Sequence, residues 1–169
     1  MKKHTAAEVI PTVAGTPFAG GFYVGRFFLG SDAYALVVAP KTEASELSGP
    51  WSKAEKKVAG ARSYNDGVAN TAAMVKAGSA LAKSIRALDI GGFDDWYLPS
   101  RLESLLLFGE LQGLKSFKAN AFERDWYWTS TPYAGDEAYA WVQYFYDGDQ
   151  YDFHKSNHYR ARAVRRVKI

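Results

Sequence analysis

The sequence predicts an α+β domain, and three observations carry that prediction. Val68, Ala72, Val75, Ser79, Ala82 and Ile85 recur three or four residues apart between Val68 and Leu88, which is the period of a helix. Both ends of the chain instead hold short aromatic and β-branched runs separated by turn residues, the mark of strands. Between them lies Gly91 to Leu107, where two glycines, the extended piece Asp94-Asp95-Trp96-Tyr97-Leu98 and a new helix start follow one another. Pro99 forbids helix before it, and Ser100 with Glu103 forms a capping box, so a helix is expected from Ser100 to about Glu110.

In chain order, Met1 to Gly20 lacks periodic apolar residues and is expected to be an N-terminal arm outside the core, with a domain over 21–169. Gly21 to Leu29 and Ala33 to Ala39 read as a hairpin around Gly30-Ser31-Asp32. Pro40 to Gly60 is polar and carries Gly49-Pro50, which reads as a long surface loop pinned by Trp51. Asn65-Asp66-Gly67 is a turn whose Asp66 can cap the helix Val68 to Leu88, and Gly91 and Gly92 suit a left-handed cap at that helix's C-terminal end. Trp126 to Thr131, Tyr139 to Tyr146, Gln150 to Phe153 and Tyr159 to Val167 then read as strands of an antiparallel meander.

Composition narrows the function classes. A chain of 169 residues fits one domain that buries roughly two thirds of its unfolded surface. Aromatics make up 15% of it and eleven are tyrosines, which suits either a binding surface or a ring-filled core. The net charge of +3 is too small to argue for nucleic acid. With no cysteine there is no disulfide, thiolate zinc site or cysteine nucleophile. Met1 to Glu8 has a basic opening but no apolar run behind it, so we expect synthesis in a cytoplasm without a signal peptide, and no membrane insertion. Neither a Gly-x-Ser-x-Gly elbow nor a phosphate-cradling glycine loop occurs, and an enzyme is not expected.

The residues that could carry binding lie near the C-terminal end. Tyr139 and Trp141 share one strand face and Tyr144 and Tyr146 the other, so one of the two faces should be open or covered by the Pro40 to Gly60 loop. Tyr133, Tyr144, Tyr146, Asp147, Asp149, Gln150 and Tyr151 form the candidate ligand-binding set, aromatic planes with polar groups beside them. Asp147, Asp149 and Asp152 offer alternating oxygens of the kind calcium takes, but lack the ligand number of an EF-hand and read first as a hairpin turn; no cofactor or metal is expected. Arg160, Arg162, Arg165, Arg166 and Lys168 form a basic tail. It reads either as an anion-binding strip or, preferably, as solvated or paired with Asp94 and Asp95 in a structural corner of Asp94, Asp95, Trp96, Arg162 and Arg165.

Taken together, Gly92-Phe-Asp-Asp-Trp-Tyr-Leu-Pro-Ser-Arg-Leu-Glu103, Tyr127-Trp-Thr-Ser-Thr131, Ala140-Trp141, Gly148-Asp-Gln150 and Arg160-Ala-Arg-Ala-Val-Arg-Arg-Val167 resemble the Lcl C-terminal domain family, named for a bacterial collagen-like adhesin. The resemblance runs over roughly residues 20 to 169, with Val37-Val-Ala-Pro40 and Asp66-Gly-Val-Ala-Asn-Thr71 included, and this longer version looks like the form found in tailed bacteriophages. It implies a C-type-lectin-like fold, two helices packed on a twisted antiparallel sheet with a long loop region presenting a binding face. The Glu-Pro-Asn, Gln-Pro-Asp and Trp-Asn-Asp tripeptides of calcium-dependent lectins are absent, and so are the cysteines of formylglycine-generating enzymes. The expectation is therefore a non-enzymatic virion protein that contacts other virion subunits, as a homo-oligomer, and a host-surface glycan or protein. The alternatives are a capsid or tail decoration protein without a ligand, and a bacterial adhesin domain.

Overall fold

The hairpin forms as expected: β2 (Gly21–Leu29) and β3 (Asp32–Val38) pair antiparallel, with a bulge between Tyr23 and Gly25 that bends the longer strand. The computed structural model describes residues 9–53 and 57–169. Ahead of the hairpin, β1 (Pro17–Phe18) pairs with the start of β2, and Phe18 is buried. The expected free arm is therefore corrected from residue 10 onward, while residues 1–8 lie outside the described residues. Its breakers serve close packing instead: Ala19 and Gly20 turn the chain at positive φ, and a Cβ on Gly91 would stand 2.7 Å from the Gly20 Cα.

The Pro40 to Gly60 segment is not all loop. β4 (Glu46–Gly49) pairs with a late strand, and Trp51 is buried with its indole N–H donated to the Thr129 carbonyl at 2.8 Å. Polar residues hid β4, because an edge strand needs few apolar side chains. The expected long helix is two helices, α1 (Gly67–Lys76) and α2 (Ala80–Arg86). Gly78 at φ +92° breaks the ladder, and Ser79 caps α2 by accepting the Ala82 N–H, so periodicity continues across a real boundary. Asp66 caps α1 as expected. Gly91 and Gly92 do not cap a helix; both at positive φ, they turn a tight loop closed by paired Ile90–Phe93 backbone bonds of 3.0 and 3.1 Å.

α3 (Arg101–Leu111) starts at the full capping box, and a 3₁₀ helix spans Lys115–Asn120. β5 (Trp126–Pro132), β6 (Tyr139–Tyr144) and β7 (Gln150–His154) then run antiparallel in sequence order. The last run departs from a meander: β8 (Tyr159–Arg162) pairs antiparallel with β4 and parallel with β5, whereas β9 (Val164–Lys168) pairs with β3. The result is a sheet ordered β1-β2-β3-β9 and a sheet ordered β4-β8-β5-β6-β7, joined through Ala163. The observed class is α+β, with sheets antiparallel except for the β5–β8 pairing and with few helices.

The two sheets share two cores. One gathers Trp51, Met74, Ile85, Trp96, Trp128 and Val142 under α1 and α2; the other gathers Phe27, Leu36, Tyr97, Leu107, Phe117 and Phe145 under α3 and the 3₁₀ helix. The central corner lies where they meet. Tyr97 exchanges backbone bonds of 2.8 and 2.9 Å with Val164, the Leu98 N–H donates to the Thr71 hydroxyl at 3.0 Å, and the Ser130 N–H donates to the Pro99 carbonyl at 2.7 Å. Every buried side-chain nitrogen and oxygen among the described residues has a partner. No helix among them is long and apolar enough to cross a membrane.

Candidate functional site

The inner face of the five-stranded sheet is covered only over part of its length. Alternation along β5, β6 and β7 puts Trp126 and Trp128, Ala140, Val142 and Tyr144, and Tyr151 and Phe153 on one side. Trp128, Ala140 and Val142 are buried in the core with Trp51, whereas Trp126, Tyr144 and Phe153 are half-buried and Tyr151 is exposed. At that open end Trp126, Tyr144, Asp147, Asp149, Tyr151 and Phe153 line a shallow cleft of about 260 Å³. Trp126 is held from several sides, stacked on Tyr144 at 4.1 Å and met edge-on by Tyr151 at 5.6 Å and Phe153 at 5.1 Å. These contacts set the ring planes in advance, so a ligand that stacks there orders few side chains on arrival.

The turn after β6 supplies the rim. Gly148 at φ +92° lets the chain fold back, its N–H reaching the Tyr144 carbonyl at 3.0 Å, and a Cβ there would collide with the Phe108 ring. The Asp147 carboxylate accepts the Asp149 N–H at 3.0 Å, and the Tyr151 hydroxyl donates to Asp149 at 3.4 Å. Tyr146 leans on Tyr144 with centroids 5.8 Å apart, and the Arg124 guanidinium lies over its ring at 5.3 Å. Asp152 belongs to the opposite sheet face, paired in register with Trp141, so the three aspartates do not converge. No group of three or more histidines, aspartates and glutamates placed to hold a metal occurs among the described residues.

Two members of the candidate set belong elsewhere. Gln150 is locked on the other sheet face, accepting from Arg101 Nε at 2.8 Å and donating to the Arg101 carbonyl and Gln143 at 2.9 Å each. Tyr133 packs edge-on against Trp141, whose other neighbour is the Arg101 guanidinium at 3.5 Å. Tyr133 also lines a larger cavity of about 400 Å³ with Arg62, Glu137 and Lys155, whose lining segment begins at Lys57, next to residues 54–56 outside the described residues. Lys155 is buried there with its ammonium 4.7 Å from the Trp51 ring centre, and burial lowers its pKa. The smaller cleft is the better candidate because its walls are aromatic planes left half-buried or exposed, whereas Lys155 is committed to holding Trp51 and the Glu137 carbonyl. Sequence reasoning missed Trp126 and Phe153; their parity with Trp128 and Tyr151 was the available signal.

The basic tail is paired internally. Arg165 forks onto Asp95 with bonds of 2.7 and 2.9 Å, donates to the Ala19 carbonyl at 3.1 Å and lies 4.0 Å from the Phe93 ring centre. Arg162, fully buried, is bound to Glu46 rather than to the corner, with Nε to Oε2 at 2.6 Å, and donates to the Asn120 and Ala121 carbonyls. Arg160 meets Asp125, Arg166 meets Asp66 and Lys168 meets Asp32. Each cation of the tail already has a carboxylate, which favours the paired reading over an anion-binding strip. Trp96 is buried with its indole N–H on the Phe93 carbonyl at 2.9 Å, and Asp94 lies exposed beside Asp95.

Beneath the corner, the Glu103 carboxylate receives the Tyr97 hydroxyl at 2.6 Å and the Ser100 N–H at 2.7 Å. Burial raises the Glu103 pKa, and burial together with the neighbouring Glu103 charge holds the Tyr97 phenol well above its usual range.

The model of the Lcl C-terminal domain matches residues 41–165, which is most of the chain and includes the corner, the cleft and the paired Arg160, Arg162 and Arg165. The chain belongs to the Lcl C-terminal domain family. No match was found among curated proteins. Among solved structures this Lcl C-terminal domain is similar to a fimbrial protein from Bacteroides ovatus ATCC 8483, at 14% identity and a TM-score of 0.47, over 78% of this chain and 35% of that one.

Proposed function

We propose that this Lcl C-terminal domain is a non-enzymatic binding module of a tailed-phage virion that presents the Trp126–Tyr144–Tyr151 cleft to a host-surface ligand. The observation that carries the binding reading is the open end of the sheet: rigidly set aromatic planes left half-buried next to two carboxylates. The virion setting is read from the resemblance of the longer motif set to the form found in tailed bacteriophages, and the C-type-lectin-like description of the fold from the family resemblance. The rival reading is a decoration protein whose aromatic end seats on a neighbouring subunit.

Binding of the purified protein to host cells tests the choice. Tyr144→Ala and Tyr151→Ala should each cost about 1–3 kcal/mol of cell binding while the protein still melts cooperatively with only a small loss of stability. If cell binding is unaffected and the same substitutions weaken attachment to particles lacking the protein, the decoration reading replaces this one.

A further inference from the structure

Given the cleft as the binding site, a reading on which this inference rests, its chemistry selects its occupant. The lining offers the aromatic planes of Trp126, Tyr144, Tyr151 and Phe153 and the two carboxylates of Asp147 and Asp149. Ionised carboxylates only accept hydrogen bonds, and Asp147 and Asp149 each have one modest partner here, a backbone N–H and a phenol hydroxyl. Neither is paired with a cation among the described residues, and the nearby Arg124 lies over Tyr146 rather than in the lining. The wall is thus negative and holds no cationic donor, its donors being the neutral Trp126 indole N–H and the Tyr144 and Tyr151 hydroxyls. A sulfate or carboxylate entering it would meet like charge with no guanidinium or ammonium to receive it.

A ring with apolar C–H faces and hydroxyl or amino donors around its edge fits both surfaces at once. The volume of about 260 Å³ lies just below the roughly 300–1,000 Å³ of pockets that enclose a drug-sized ligand, so it takes one residue of a chain that continues into solvent. We infer that the cleft binds a single non-anionic hexopyranose residue, neutral or amino-bearing, of a surface polysaccharide, and discriminates against sulfated and uronic-acid residues. The aromatic planes supply affinity by stacking on the C–H face, and Asp147 and Asp149 supply selection by accepting from the sugar's edge.

The test is calorimetric titration of the whole protein with tetrasaccharides. The panel contains neutral tetramers of glucose, galactose, mannose and N-acetylglucosamine, the amino-bearing glucosamine tetramer, and two anionic ones, the galacturonic acid tetramer and a heparin tetrasaccharide. At least one neutral or amino-bearing tetramer should bind, at least about tenfold more tightly than either anionic one, and Tyr144→Ala should weaken it about tenfold. The double substitution Asp147→Asn with Asp149→Asn should narrow the gap by admitting the anionic tetramers, while Tyr151→Phe keeps the stacking plane. Tighter binding of an anionic tetramer, or binding of none, overturns the inference. If none binds while host-cell binding still falls in Tyr144→Ala, the inference is lost and the binding module stands; if cell binding is indifferent to Tyr144→Ala and Tyr151→Ala, both are lost.

Discussion

Two arginine–carboxylate pairs of similar geometry should differ several-fold in what they contribute to stability, and the difference follows from burial. Arg162 is fully buried and its partner Glu46 keeps only 11% of its side chain exposed, whereas Asp95, the partner of Arg165, is 50% exposed. Glu46→Ala leaves a guanidinium in the second core with only the Asn120 and Ala121 carbonyls and the face of Phe122, 4.2 Å away, and it also removes the acceptor of the Tyr127 hydroxyl. Removing one partner of a buried pair costs about 3–5 kcal/mol, because the surviving charge stays desolvated. Asp95→Ala is milder, about 1–2 kcal/mol, since water reaches the vacated side and Arg165 keeps the Ala19 carbonyl and the Phe93 ring. Urea unfolding at fixed pH, with unchanged denaturant slope, reads both. Equal losses in the two variants, or a loss below about 1 kcal/mol for Glu46→Ala, would refute the burial argument. Replacing the inner pair jointly by Leu at 46 and Met at 162 should recover much of the loss.

Further expectations concern the corner. Because the folded-state pKa of Glu103 is raised, the native state holds the proton more tightly than the unfolded chain, so its contribution is fully present below the ordinary glutamate range and is lost as pH rises through the folded value. Glu103→Gln, which can still accept from Ser100 and donate to the Tyr97 hydroxyl, should flatten that part of the stability profile; thermal melts from pH 4 to 8 that fall equally in both proteins would contradict the assignment. Gly67→Ala should destabilise by about 1–3 kcal/mol, since its Cβ would stand 2.5 Å from Glu103 Oε2 and 2.8 Å from the Leu98 carbonyl; chemical denaturation measures this, and a neutral result would mean the corner gives way easily.

Features that depend on neighbours within a few residues were legible in the sequence. The Ser100–Glu103 capping box, the Asp66 cap, the β2–β3 hairpin and the turn at Asp147 to Asp149 all close hydrogen bonds across two to four positions, so residue order suffices to state them. The opposition of Tyr139 and Trp141 to Tyr144 followed likewise from strand alternation. Helix periodicity, however, ran through the Gly78 break, because a side-chain pattern does not record whether the backbone ladder continues.

Tertiary structure alone decided the long-range pairings. The sequence determined that Tyr159 to Val167 is extended and basic, but only packing divided it at Ala163 between two sheets, gave Arg162 to Glu46 across 116 positions and gave Arg165 to Asp95 across 70. The same holds for the cleft. Composition supplied the aromatic residues, yet the pairing of β5, β6 and β7 placed Trp126 and Phe153 beside Tyr144, while Gln150 and Tyr133 turned to the other face. The physical reason is that a local bond costs little chain entropy and is written in adjacent residues, whereas a distant contact forms only where closing the loop is offset by burial that the whole fold provides.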